Sequence, residues 1–86
     1  MHEEDVPKIP ADGPGLRYMA VADHISAAVD TGKLRPGSRL PPERELAESY
    51  GVSYMTVRRA MKELRERGVV VSVHGKGTFI AEPSGD

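Results

Sequence analysis

Apolar positions repeat with a helical period in three separate stretches of this chain and gather into two short β-rich runs near its end. Tyr18, Val21, Ala22, Ile25, Ala28 and Val29 recur at three- and four-residue spacing, which predicts a first helix of about four turns from Leu16 to a stop at Gly32. The stretch "KLRPGSRLPPERELA" then passes through a Pro-Gly turn to a short extended segment at Leu40. Pro42 suits the first turn of a second helix, where its missing N–H has no partner in any case. That helix carries Leu46, Ala47 and Tyr50 on one side and stops at Gly51, a favoured left-handed cap. Val52 is expected to fill the gap before a third helix, and Ser53 to cap it by accepting from a free backbone N–H. In the third helix Val57, Ala60, Met61 and Leu64 form the buried stripe, with Gly68 as its end. The last patterned stretch, "VVVSVHGKGTFIA", reads as a hairpin. Its strands are Val69 to Val73 and Thr78 to Ala81, and its tight link is His74-Gly75-Lys76-Gly77, whose glycines suit positive φ.

Three helices followed by a two-stranded hairpin is the order of a winged helix-turn-helix, an α+β fold. Eighty-six residues hold one small domain at most. Its expected bounds are residues 16–82, preceded by a disordered acidic arm, rich in proline and glycine, over 1–15 and followed by a frayed polar tail over 83–86. The Gly51-Val52-Ser53 turn would set the third helix steeply across the second. Its first turn would then project from the domain, where its side chains can reach base edges in a major groove.

Composition narrows the chemistry. Hydrophobic residues are 38 % of the chain and tryptophan is absent, so the core must be compact and mostly aliphatic. With no cysteine, neither a disulfide nor a thiolate metal site can support it, and His2, His24 and His74 lie far apart in sequence. No apolar run approaches membrane-spanning length, and the acidic start "MHEED" has no apolar segment behind it, so a cytoplasmic location is the expectation.

Charge sharpens the picture through its distribution rather than its sum. The net value of −1 argues, taken alone, against a nucleic-acid partner. Residues 1–32, however, hold two cations and six anions, whereas 33–76 hold ten Lys and Arg against five Glu. A basic middle between acidic ends can still make a local positive face. Met55, Arg58, Arg59 and Lys62 fall on the side of the third helix opposite the buried stripe, with Tyr54 at its edge. Arginines near a helix N-terminus meet the positive end of the helix dipole, which does nothing for stability but suits an external polyanion.

Enzymatic readings find little support. Asp23, His24 and Ser26 are near neighbours on one helix and point in different directions, so they build no triad. The "GKG" at 75–77 lacks the strand-to-helix setting and the Lys-Ser/Thr pair of a phosphate loop. No catalytic residue, cofactor or metal is expected. A winged helix that docks a protein partner remains the alternative to one that binds DNA. Structural roles also compete for single residues: Arg59 with Glu63, and Arg44 with Glu48, stand at the i,i+4 spacing of helical ion pairs.

The stretch from Tyr18 to Ala81 also resembles the DNA-binding domain of GntR-family bacterial transcription regulators. "PGSRLP", "ERELA", "GVS..TVR" and "HGKGTFIA" occur in order at that family's spacings, and "SYMTVRRA" is most similar to its HutC-like branch. The resemblance implies a DNA-binding regulator, with a repressor on a palindromic operator as the expectation. It implies double-stranded DNA as the partner and two copies of the chain on the site. Carried over by residue, Arg44 would open the second helix toward DNA, Ser53 and Thr56 would hold phosphate, Arg58 would touch bases or phosphate, and His74 and Gly75 would form the wing tip. Lys76 beside them would add phosphate charge. Tyr54 stands where the family commonly has a guanine-reading arginine, and Pro42 where it commonly has Ser or Thr. Such regulators normally continue into a C-terminal effector-binding domain, and no effector site is evident in these 86 residues. The chain is therefore either a small stand-alone regulator, which Met1 and the polar ending favour, or a fragment of a longer one.

Overall fold

A computed structural model describes residues 14–82 of the chain. The expected arm thus lies outside the described residues except for Pro14 and Gly15, and the expected tail lies wholly outside them. The first helix, α1 (Pro14–Asp30), starts two residues before Leu16. Proline at a helix start costs no hydrogen bond and has its φ already set, so the hydrophobic pattern marks where packing begins and not where the helix does. On its inner face Val21, Ala22 and Ile25 are buried.

Helix α2 (Glu43–Tyr50) begins without a side-chain cap, because the N-cap is Pro42. Glu43 and Glu45 in its first turn offset this by placing negative charge at the positive end of the dipole. Leu46, Ala47 and Tyr50 face inward. The helix ends at Gly51, whose φ of 70° and ψ of 34° let its N–H bond back to Ala47 and Glu48. That left-handed residue is what permits the short turn into α3 (Tyr54–Glu66). Ser53 caps α3 as expected, accepting from the Thr56 N–H at 3.1 Å. Val57, Ala60, Met61 and Leu64 are fully buried, and α3 is the element against which α1, α2 and the hairpin all pack. Val52, half-buried in the turn, packs against the same core.

Strands β1 (Val70–Val73) and β2 (Gly77–Ile80) pair antiparallel, with Val70 opposite Ile80 and Val73 opposite Gly77. The link is therefore three residues, His74 to Lys76, one shorter than expected, because Gly77 already pairs as a strand residue. Its φ of 121° and the 76° of Gly75 confirm the positive-φ requirement at both glycines. The extended segment before α2 joins the hairpin through a single β-bridge, Arg39 opposite Phe79. Gly37 N–H donates to Ile80 O, Ile80 N–H to Ser38 O and Leu40 N–H to Thr78 O, each at 2.8 Å. This sheet edge turns Leu40, Val70 and Ile80 into the core. No described helix is long and apolar enough to cross a membrane.

Candidate nucleic-acid interface

The outward face of α3 presents two exposed apolar side chains and then a row of cations. Met55 is 68 % exposed and Tyr54 43 %, both high for large apolar residues that open a helix. Arg58, Arg59 and Lys62 follow, all exposed. The Arg58 guanidinium lies 5.9 Å from the Tyr54 ring centre, and that of Arg59 lies 4.2 Å from the ring of Tyr18 on α1. Ring faces attract cations without neutralising them, so both arginines are positioned with their charge intact.

Glu63, the helical partner considered for Arg59, instead accepts from Arg67 Nε at 2.8 Å. Among the described residues only Arg67 forms ion pairs, with Glu63 and, through Nη2 at 2.9 Å, with Asp23. Arg44 is not paired with Glu48. Its side chain lines a cleft of about 410 Å³ together with Glu43, Tyr54, Arg39, Gly77 and Thr78. The cleft runs from the first turns of α2 and α3 to the turn end of the hairpin, where Gly77 and Thr78 open β2. A shallower hollow over the face of α3 is lined by Met55, Arg58, Arg59, Lys62 and Arg65, with Glu43 its one carboxylate.

The two hydroxyls at the start of α3 bond to one another. Ser53 Oγ and Thr56 Oγ1 are 2.9 Å apart, while Ser53 Oγ also accepts the Thr56 N–H. Whichever hydroxyl donates within this pair, the hydrogen of the other stays free for an outside acceptor. Capping the helix and holding a phosphate are thus compatible uses of these residues.

His74, Gly75 and Lys76 are exposed at the hairpin turn, where the Lys76 N–H closes the turn onto Val73 O at 2.9 Å. They line neither the cleft nor the hollow, although Gly77, next to Lys76 in the chain, lines the cleft. Two cations escaped the sequence reading. Arg65 continues the face of Arg58 and Lys62 at helical spacing, a signal that was present, and its Nη1 donates to Ser72 Oγ of β1 at 3.2 Å. Arg39 gave no such signal, because its position depends on the bridge to Phe79 in β2.

Away from this face, His24 Nδ1 and Tyr50 Oη lie 2.6 Å apart beneath an edge-on ring contact. Burial pushes the Tyr50 hydroxyl up to about 12. These residues lock α1 to α2, as expected of a core-edge tyrosine.

A comparison with protein families decides what this arrangement belongs to: residues 17–80 match the model of the bacterial regulatory proteins, gntR family. The chain belongs to the gntR family. Among its relatives, the histidine utilization repressor of Klebsiella aerogenes is 42 % identical over 76 residues, which cover 88 % of this chain and 32 % of that protein. The transcriptional repressor NagR of Bacillus subtilis is 38 % identical over 66 residues, covering 77 % and 27 %. The chain thus spans under a third of the length of the curated relatives it matches. Solved structures agree on the winged-helix architecture. YtrA from Sulfolobus acidocaldarius, a GntR-family transcription factor, superposes with a TM-score of 0.79 at 32 % identity over 91 % of this chain and 82 % of that one. The DNA-binding domain of AraR in complex with operator ORX1 gives 0.72 at 40 % identity, covering 76 % and 78 %.

Proposed function

We propose that this gntR-family chain is a sequence-specific DNA-binding transcription regulator that represses by occupying an operator, in the cytoplasm. The reading rests above all on the outward face of α3, where Arg58, Arg59 and Lys62 carry charge that no carboxylate among the described residues neutralises by an ion pair. The likeness to a domain that was solved on its operator supports it. In this reading the first turns of α3 enter a major groove, with Tyr54, Met55 and Arg58 toward base edges. Arg44 and the free hydroxyl hydrogen of the Ser53–Thr56 pair meet phosphate on the flanks, together with Arg59 and Lys62. His74, Gly75 and Lys76 extend over the neighbouring minor groove.

One such domain covers little DNA, so useful specificity calls for two copies on a palindromic site. The protein-docking alternative is not favoured, because the exposed Tyr54 and Met55 stand among Arg58, Arg59 and Lys62, whereas the centre of a protein interface is depleted of charge. Selection of bound sequences from a random DNA pool with the 86-residue chain tests the reading. Enrichment of a short inverted repeat is expected. Recovery of no common sequence would remove the sequence-specific claim, and a repeat in direct orientation would remove the two-fold arrangement.

A further inference from the structure

The bridge to Phe79 brings Arg39 onto the wing. Residues paired directly across a sheet share a face, so Arg39, Phe79 and Val71 form one row, with Gly77 and Val73 in the next row toward the turn. All stand opposite the buried Leu40, Val70 and Ile80. The Arg39 side chain crosses from its own row into the next. Its Nε lies 2.9 Å from where a Cβ on Gly77 would sit, closer than real Cβ atoms come, and its Nη2 lies 3.4 Å away, so a side chain at 77 would have to displace the guanidinium. Gly77 therefore does more than adopt a φ of 121°: its bare backbone is the bed on which the guanidinium rests. Arg39 is exposed, forms no ion pair among the described residues, and lines the cleft shared with Arg44 and Tyr54. Among the described residues Glu43 is the only carboxylate in that lining, against two guanidinium groups.

We propose that Arg39, seated on Gly77, binds a backbone phosphodiester of the DNA strand that passes between the wing and the first turns of α2 and α3. This rests on the DNA-binding function proposed above. With α3 in a major groove and the wing over the adjacent minor groove, the sugar-phosphate strand separating the two grooves faces this cleft. A guanidinium held by backbone on one side and open on the other offers its remaining donors in a fixed direction, which suits a phosphate. The competing role for Arg39 is a brace that only stiffens the wing. A brace contributes to stability and leaves the salt dependence of binding untouched.

Binding of the whole 86-residue chain to short duplexes of unrelated sequence, followed by fluorescence anisotropy across a KCl series, separates the two. Arg39→Ala is expected to lower the slope of log K against log salt by about one and to weaken every duplex about equally. Arg39→Lys keeps the charge and should keep the slope. Gly77→Ala drives a methyl group into the guanidinium and should lower the slope as Arg39→Ala does, measured per folded molecule. An unchanged slope for Arg39→Ala, with Lys62→Ala lowering it, overturns the proposal and leaves the DNA-binding function standing. An effect of Arg39→Ala confined to one base position also overturns it, in favour of a base contact. Binding by the parent chain that ignores salt would instead sink the function itself, and this inference with it.

Discussion

At the C-terminal end of α3, Arg67 is surrounded by acceptors: Glu63 at 2.8 Å, Asp23 at 2.9 Å and Ser26 Oγ at 3.3 Å. Hydrogen bonds to Glu63 and then Asp23 hold its guanidinium further above its ordinary value. At the N-terminal end, Arg58 and Arg59 meet the rings of Tyr54 and Tyr18, and no carboxylate among the described residues forms an ion pair with either. The helix dipole favours a cation at the first place and opposes one at the second. Both local terms thus satisfy Arg67 within the molecule, whereas the charge of Arg58 and Arg59 is left facing outward. A helix can carry arginines at both ends for different reasons, and the identity of the neighbours tells them apart.

The contrast can be broken by substitution, and the largest effect is expected beneath the helix rather than on it. Leu64 is fully buried, and Leu64→Ala should cost about 2–5 kcal/mol of stability through lost burial and a residual cavity. Chemical denaturation measures this. Binding per folded molecule should stay near that of the parent, and a specific loss of affinity at full stability would mean that the buried stripe has a direct part in recognition.

Arg58→Ala should do the reverse. Its melting temperature is expected near the parent value, because exposed substitutions usually stay within about 0.5 kcal/mol. Affinity for the selected operator should fall about tenfold or more, the equivalent of roughly 1–3 kcal/mol for a charge-assisted contact. Unfolding without any loss of binding per folded molecule would make the arginine structural and erase the difference between the two ends.

Lys76→Ala probes the wing tip on the same scale. A phosphate contact predicts a salt slope lower by about one and weaker binding to all sequences alike. Loss at a single base position would show direct readout instead. The smallest change in binding belongs to Arg67→Ala. It should lower the melting temperature by less than Leu64→Ala does and leave the salt slope where it was. A lowered slope there would mean that the C-terminal end also meets DNA.

Much of this was legible in the order of residues. The buried stripe of α3 falls at the positions its period marks, and Ser53 and Gly51 stand where a cap and a left-handed stop are required. The exposed row of Met55, Arg58, Arg59 and Lys62 follows from the same period, because a helix that buries one side must show the other. The misplaced edges lie where packing does not speak. Pro14 and Gly15 are helical with no apolar signal to mark them, and Gly77 joins β2 although its missing side chain reads as turn.

The sequence by itself thus determined the elements, their order and which side of each faces inward, because those depend on neighbours within a few residues along the chain. Only the tertiary structure decided which charges are already spoken for. Arg67 finds Asp23 from 44 positions away in the chain and Arg59 finds Tyr18 from 41, while Arg39 reaches Gly77 through a strand pairing across the sheet. Local spacing offered Glu63 to both Arg59 and Arg67 at i,i+4, and Glu63 went to Arg67, beside which the fold also places Asp23, while Arg59 lies over the Tyr18 ring. Charge availability is a property of three-dimensional neighbours, and periodicity along one helix carries no information about the residues that another helix will bring.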